Sequence, residues 1–190
     1  MKTFKLFTAF ALLSFITSNA QITKGNWMVG GNISFQYDKY ENKNNNTNSQ
    51  GTTVNYSELG SYILNIEPNI AYFFKDKIAI GTSINYINSF TEGNSFSSNG
   101  MNLGINPFLR YYVLNTEKTY NVFIEPSYSR FMNKSLGNSN GFGVKTGFVY
   151  FLNSSVAFES IIKYSKNYSE QNNRNNIYLG FGLQIHLIKE

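Results

Sequence analysis

Ile177-Tyr178-Leu179-Gly180-Phe181-Gly182-Leu183-Gln184-Ile185-His186-Leu187, close to the C-terminus, decides the fold. Every odd position is large and apolar. The even positions are tyrosine, glycine, glutamine and histidine. A period of two belongs to a β-strand, whose successive side chains point to opposite faces, so this strand has one apolar face and one that is not. The pattern recurs upstream and predicts strands near residues 25–37, 60–74, 77–90, 100–114, 119–132, 141–152, 155–168 and 177–188. Eight strands are an even number, as an up-and-down barrel with both termini on one side requires.

Alternation alone does not say which face meets solvent. A soluble lipocalin-like barrel turns its apolar face inward, and a membrane barrel turns it outward. Charge content separates the two. Only 14% of the chain is charged and 17% is aromatic, whereas soluble domains carry about 25% charged residues. The polar face is mostly Gly, Ser, Asn and Ala, too poorly charged for a soluble exterior and small enough for a narrow lumen. The expected fold is therefore all-β, an eight-stranded antiparallel up-and-down transmembrane β-barrel.

Lys2 and Lys5, an apolar run from Leu6 to Ile16, and Ser18-Asn19-Ala20 have the order of a secretory signal peptide cleaved after Ala20. The expected organisation is a leader at 1–20 and one barrel domain at 21–190. Removing the two leader lysines from 16 basic residues leaves 14 against 11 acidic ones, a net charge of +3. No basic stripe accompanies it, so nucleic acid is not an expected partner. The chain has no cysteine, which excludes disulfides, thiolate metal sites and lipidation at an N-terminal Cys.

Connections after strands two, four and six are short, and the others are longer and rich in Asn, Ser and Gly. Short turns belong on the periplasmic side and long loops outside. The longest expected loop is Asp38 to Ser57, with Tyr40, Tyr56 and Phe96 as candidates for surface recognition. An internal repeat supports the division: Leu64 to Phe73 aligns without gaps to Leu103 to Tyr112, and Tyr72, Tyr111 and Tyr150 follow one another at 39 residues (111 − 72 and 150 − 111). Each hairpin thus sets a tyrosine just above a periplasmic turn, where an amphipathic ring suits the membrane interface. Trp27 and Tyr120 extend this lower girdle, and Tyr37, Tyr62, Tyr86, Tyr128, Tyr164 and Tyr168 form an upper one. Pro68, Pro107 and Pro126 lie mid-strand on the apolar parity, and bulges or distorted registers are expected there.

The signal peptide, the eight amphipathic strands, and the repeated Ile-x-Pro followed by an aromatic pair and a turn (Ile66 to Phe73, Ile105 to Tyr112) resemble the small outer-membrane β-barrel domain family of Gram-negative bacteria. The resemblance implies integral insertion in the outer membrane, outer-membrane lipids as surroundings, and the barrel assembly machinery as a partner during biogenesis. It implies a monomer without cofactor whose extracellular ligand is not specified. Such barrels often end on an aromatic residue, whereas this chain ends His186-Leu187-Ile188-Lys189-Glu190.

Parity also points Glu67, Glu125 and Glu159 inward with Arg110, Lys145 and Lys163. Three acids meet three bases, as a side-chain-filled lumen requires. Counting from the fourth turn puts Arg110 opposite Glu125, and Glu67 reaches across the barrel towards Lys145. The expected role is a polar plug that fixes register, with a gate or proton relay as the competing role. His186, the single histidine, excludes a histidine-cluster metal site. It leaves a lipid A deacylase-like enzyme as the alternative, but its inward parity and the lack of a Gly-x-Ser-x-Gly motif favour a non-enzymatic structural or surface role.

Overall fold

A computed structural model describes residues 22–48, 51–91, 102–132, 139–168 and 173–187. The leader and Phe96 lie outside the described residues, as do the side chains of Tyr37, Tyr40 and Tyr56. The elements are β1 (Trp27–Asn48), β2 (Gly51–Lys75), β3 (Ile78–Thr91), β4 (Asn102–Tyr112), β5 (Tyr120–Met132), β6 (Ser139–Phe151), β7 (Val156–Tyr168) and β8 (Asn173–Leu187). They close into one barrel in chain order, each strand antiparallel to its neighbours and β1 sealed to β8 from Trp27↔Leu187 to Phe35↔Leu179. Closure leaves no free edge in the wall.

The alternation sorts the two faces as the apolar pattern requires. On β8, Leu179 and Phe181 are 63% and 59% exposed, while Gly180, Gly182, Gln184 and His186 between them are buried. Among the strand residues whose side chains are described, the charges on the outward parity are Arg130 and Lys166, both towards the loop ends of β5 and β7. Inside, glycine makes room for rings: a Cβ on Gly147 would lie 2.8 Å from Phe123 and one on Gly81 2.6 Å from Phe108. This pairing of small with large fills a narrow barrel to interior density.

Two expectations are corrected. The stretch from Asp38 to Ser57 is not a loop: β1 and β2 stay paired from Asp38↔Ser61 to Asn48↔Gly51. Among the described residues β1 pairs with β8 as far as Phe35 and β2 with β3 as far as Ser61, and β1 and β2 stay paired to each other beyond those positions as a two-stranded ribbon. Its asparagines masked good strand formers, Thr52-Thr53-Val54 and Tyr56, and a hairpin satisfies its own backbone without burying apolar area. The prolines, secondly, make no bulge. The β2–β3 ladder passes from Ile66↔Tyr86 to Asn69↔Ser83 without a change of register, skipping Pro68. The β4–β5 ladder likewise goes from Ile105↔Arg130 to Phe108↔Ser127 and then Tyr111↔Ile124, skipping Pro107 and Pro126. A missing N–H removes a bond, not a residue. The one register shift in β2–β3 is at Phe73/Lys75, beside the Asp76-Lys77 turn.

Local polar groups fix the short turns. The Asn153 Oδ1 accepts from the backbone of Ser155 and Val156, and Asn121 Oδ1 accepts from Leu114 N at 2.9 Å. The segment before β1 caps the same end. Ile22 O accepts from Lys77 N at 2.8 Å, and Gly25 N donates to Phe73 O at 2.8 Å. Lys24 N donates to Asp76 Oδ1 at 2.7 Å. Ile22 is fully buried by this arrangement.

Candidate functional site

Inward parity on five strands brings six charged side chains into one continuous chain of ion pairs across the lumen. Lys163 Nζ lies 2.9 Å from Glu67, and Lys145 Nζ reaches the same carboxylate at 3.1 Å. Lys145 also contacts Glu125 at 2.9 Å. Arg110 then joins Glu125 through Nε at 2.6 Å to Glu159 through Nη1 at 2.6 Å. The order Lys163, Glu67, Lys145, Glu125, Arg110, Glu159 alternates in sign and sums to zero. All six are buried. Neutral groups complete it: Ser83 donates to Glu67 at 2.8 Å, Asn106 to Ser83 at 3.2 Å, and Gln184 to Glu159 at 3.2 Å.

Below the charges, towards the short turns, the lumen is apolar. Ile22, Met28, Phe73, Tyr112, Phe123 and Phe151 form a buried cluster with small residues from neighbouring strands. The Arg110 guanidinium sits 4.0 Å from the centroid of Phe123 and donates to Tyr112 Oη at 3.2 Å, which joins the two layers. His186 is in the lower layer, its ring 5.8 Å from Phe73 and 5.5 Å from Phe151. Above the charges the lumen is lined by short polar side chains, among them Asn32, Ser34, Asn65, Asn85, Ser129 and Asn176, all buried.

Pairing by parity reaches Arg110–Glu125 and Glu67–Lys145. It does not name Lys145–Glu125, although the two are register partners on β5 and β6, nor Arg110–Glu159 and Lys163–Glu67, which depend on side-chain reach across the bore. The apolar floor also went unread. Its signal was present in the sequence, because Phe73, Tyr112, Phe123 and Phe151 all fall on the inward parity near a short turn.

On the outer wall, Trp27 pairs with Tyr72 in register and their rings lie 5.1 Å apart. Tyr120 pairs with Tyr150, and Tyr111 lies beneath Lys77 Nζ at 5.8 Å. All five rings stand at the short-turn end. Tyr62, Tyr164 and Tyr168 are exposed near the opposite end, with Tyr86 and Tyr128 half-buried. Among the described residues no group of three or more His, Cys, Asp or Glu is placed to hold a metal ion.

No protein-family model and no curated protein matches the sequence. Solved structures do resemble it. Neisserial surface protein A aligns over 85% of this chain and 97% of its own, at 14% identity and a TM-score of 0.52. The outer membrane protein OprG of Pseudomonas aeruginosa aligns over 89% and 98%, at 15% identity and a TM-score of 0.50. At these identities the likeness establishes the fold, a small closed eight-stranded barrel of the outer-membrane type.

Proposed function

We propose that this chain is an integral outer-membrane barrel with a closed, side-chain-filled lumen, serving a non-enzymatic structural or surface-interaction role through its extracellular end. The observation that carries the reading is the inversion of the two faces. Six charges are buried in the bore while the wall outside is Leu, Ile, Val and Phe, which is stable only where hydrocarbon replaces water. Lipids of the outer membrane are then its surroundings, the barrel assembly machinery inserts it after removal of residues 1–20, and the working unit is a monomer. Trp27, Tyr72, Tyr111, Tyr120 and Tyr150 anchor the periplasmic interface. Glu67, Arg110, Glu125, Lys145, Glu159 and Lys163 hold strand register. The β1–β2 ribbon is the part that reaches outward for a partner.

An aromatic floor beneath a neutral ion-pair layer supports a bore that does not conduct. The alternative, a lipid-modifying enzyme, needs a base on a surface that lipid can reach, and His186 packs between Phe73 and Phe151 inside the lumen. Heat-modifiable migration of the folded protein, recovery in outer-membrane fractions and cleavage of intact cells within the ribbon test the main reading. A water-soluble, non-heat-modifiable mature protein refutes it, and stable high conductance in planar bilayers refutes the closed bore. An altered lipid A pattern that depends on His186 would install the enzyme instead.

A further inference from the structure

The outer wall carries an apolar groove. Across β5 to β8, Val122 pairs with Phe148, Phe148 with Ser160, and Ser160 with Phe181, so one short hydroxyl side chain stands in a row of large apolar ones. The result is a groove of ≈ 500 Å³ whose lining includes Ser160, Thr146, Gly147 and Gly180. Phe148 and Phe181 line it, and each is backed by a second ring. Tyr120 stacks on Phe148 with centroids 6.1 Å apart and planes at 19°, and Phe158 stacks on Phe181 at 5.8 Å and 22°. The Thr146 hydroxyl donates to Phe123 O at 2.8 Å, so it asks nothing of an occupant.

From this groove a continuous line of contacts runs to the short-turn rim. Phe148 lines the groove, Tyr120 stacks on Phe148, and Lys118 Nζ stands 5.5 Å from the Tyr120 centroid. Lys118 is exposed in the 113–119 turn, beside Glu117. A cation at the interface directly below an apolar slot is the complement of an anionic headgroup attached to a hydrocarbon chain.

We propose that this wall holds one phospholipid of the periplasmic leaflet, its phosphate on Lys118 and one acyl chain lying in the groove over Ser160. The site rests on the membrane reading above. It differs from the general lipid annulus because Ser160 leaves a slot that a chain fills and a neighbouring side chain does not.

The test uses the full mature barrel, folded in detergent and titrated by native mass spectrometry with phosphatidylglycerol and with a diacylglycerol of the same chains. One phosphatidylglycerol is expected to be retained per barrel. S160F, which fills the slot from the lipid side, should weaken retention about tenfold, equivalent to ~1.4 kcal/mol. K118Q should abolish the preference for phosphatidylglycerol over diacylglycerol and leave diacylglycerol binding unchanged. I84F, on the outward face of β3, should change neither. Heat-modifiable migration shows that each variant is folded. Equal retention by wild type and S160F overturns the site, and so does a wild-type dimer that S160F dissociates, since the groove would then belong to an interface between copies. A folded, membrane-inserted barrel without retention refutes the lipid site alone, whereas failure to insert refutes the membrane reading and the site with it.

Discussion

Replacing Arg110 by Met should separate the partners of the lumen network by their alternatives. Arg110 joins Glu125 and Glu159, each at 2.6 Å. Glu125 keeps Lys145 at 2.9 Å when the guanidinium is gone. Glu159 keeps the Gln184 amide and no cation among the described residues. Removing one partner of a buried pair costs about 3 to 5 kcal/mol because it strands a charge, and here the stranded charge is chiefly Glu159. The six-group sum also moves from zero to −1. R110M/E159Q restores neutrality and should recover more than half of that loss. R110M/E125Q should recover less, because it removes an acid that still had Lys145 and leaves the one that had no cation. Urea-unfolding midpoints in lipid vesicles for wild type, R110M, E125Q, E159Q and the two double variants supply both coupling energies. Strict additivity in both cycles, or a larger rescue by E125Q, would mean that the network is not organised as described.

Three further outcomes follow from the same geometry. I22A should destabilise the folded barrel by about 2 to 3 kcal/mol and expose the segment before β1 to protease from the periplasmic side, because Ile22 is fully buried beneath the short turns; an unchanged urea midpoint would show that the cap is dispensable. G147V places a Cβ 2.5 Å from Ser160 O and 2.8 Å from Phe123, and should cost roughly 1 to 3 kcal/mol by overpacking, read as a lower temperature for the gel shift. Deleting Tyr40 to Ser57 and joining the strands through Asn-Gly should leave the urea midpoint of the barrel unchanged, since among the described residues the deleted stretch pairs only with itself and with Glu58 to Leu59; loss of folding would make the ribbon part of the barrel.

The strands were legible because membrane insertion forces a strict period. An outward residue meets hydrocarbon and an inward one meets a bore, so neither face tolerates much exchange, and the ends of β3, β5 and β7 follow from where the alternation stops, whereas β8 begins at Asn173, four residues before the apolar period does. The ribbon was not legible by that route. From Asp38 to Gly60 the hairpin carries no apolar period, and its asparagines read as loop. The inward charges were legible by parity one strand at a time. The contacts across the bore were less so, because a long Lys or Arg side chain can meet a carboxylate from a non-adjacent strand, and parity does not say which of several it meets. The aromatic floor is a different omission: the rings obey the period, but their size conflicts with a lumen pictured as small and polar, and only the glycines opposite them, Gly81 and Gly147, resolve the conflict.

The prolines and the ion pairs explain each other. Among the described residues β4 and β5 pair at six positions, whereas β5 and β6 pair without interruption from Tyr120↔Tyr150 to Phe131↔Ser139. Pro107 and Pro126 cause the gaps on that seam, since each lacks the donor that a neighbouring carbonyl would accept, and hydrocarbon offers no substitute. Arg110 and Glu125 stand on β4 and β5 at the second of these gaps and cross it from inside at 2.6 Å. A slip of one residue would turn the slipped strand's charge out into lipid and its apolar face inward and strand the other charge in the bore, so the pair penalises the very error that a depleted ladder would otherwise permit. Lys145 and Glu159 extend the same constraint to β6 and β7. The buried charges are therefore best understood as a register lock for the weakest seam of the wall, which is why they sit at mid-height in the bore and not at its mouth.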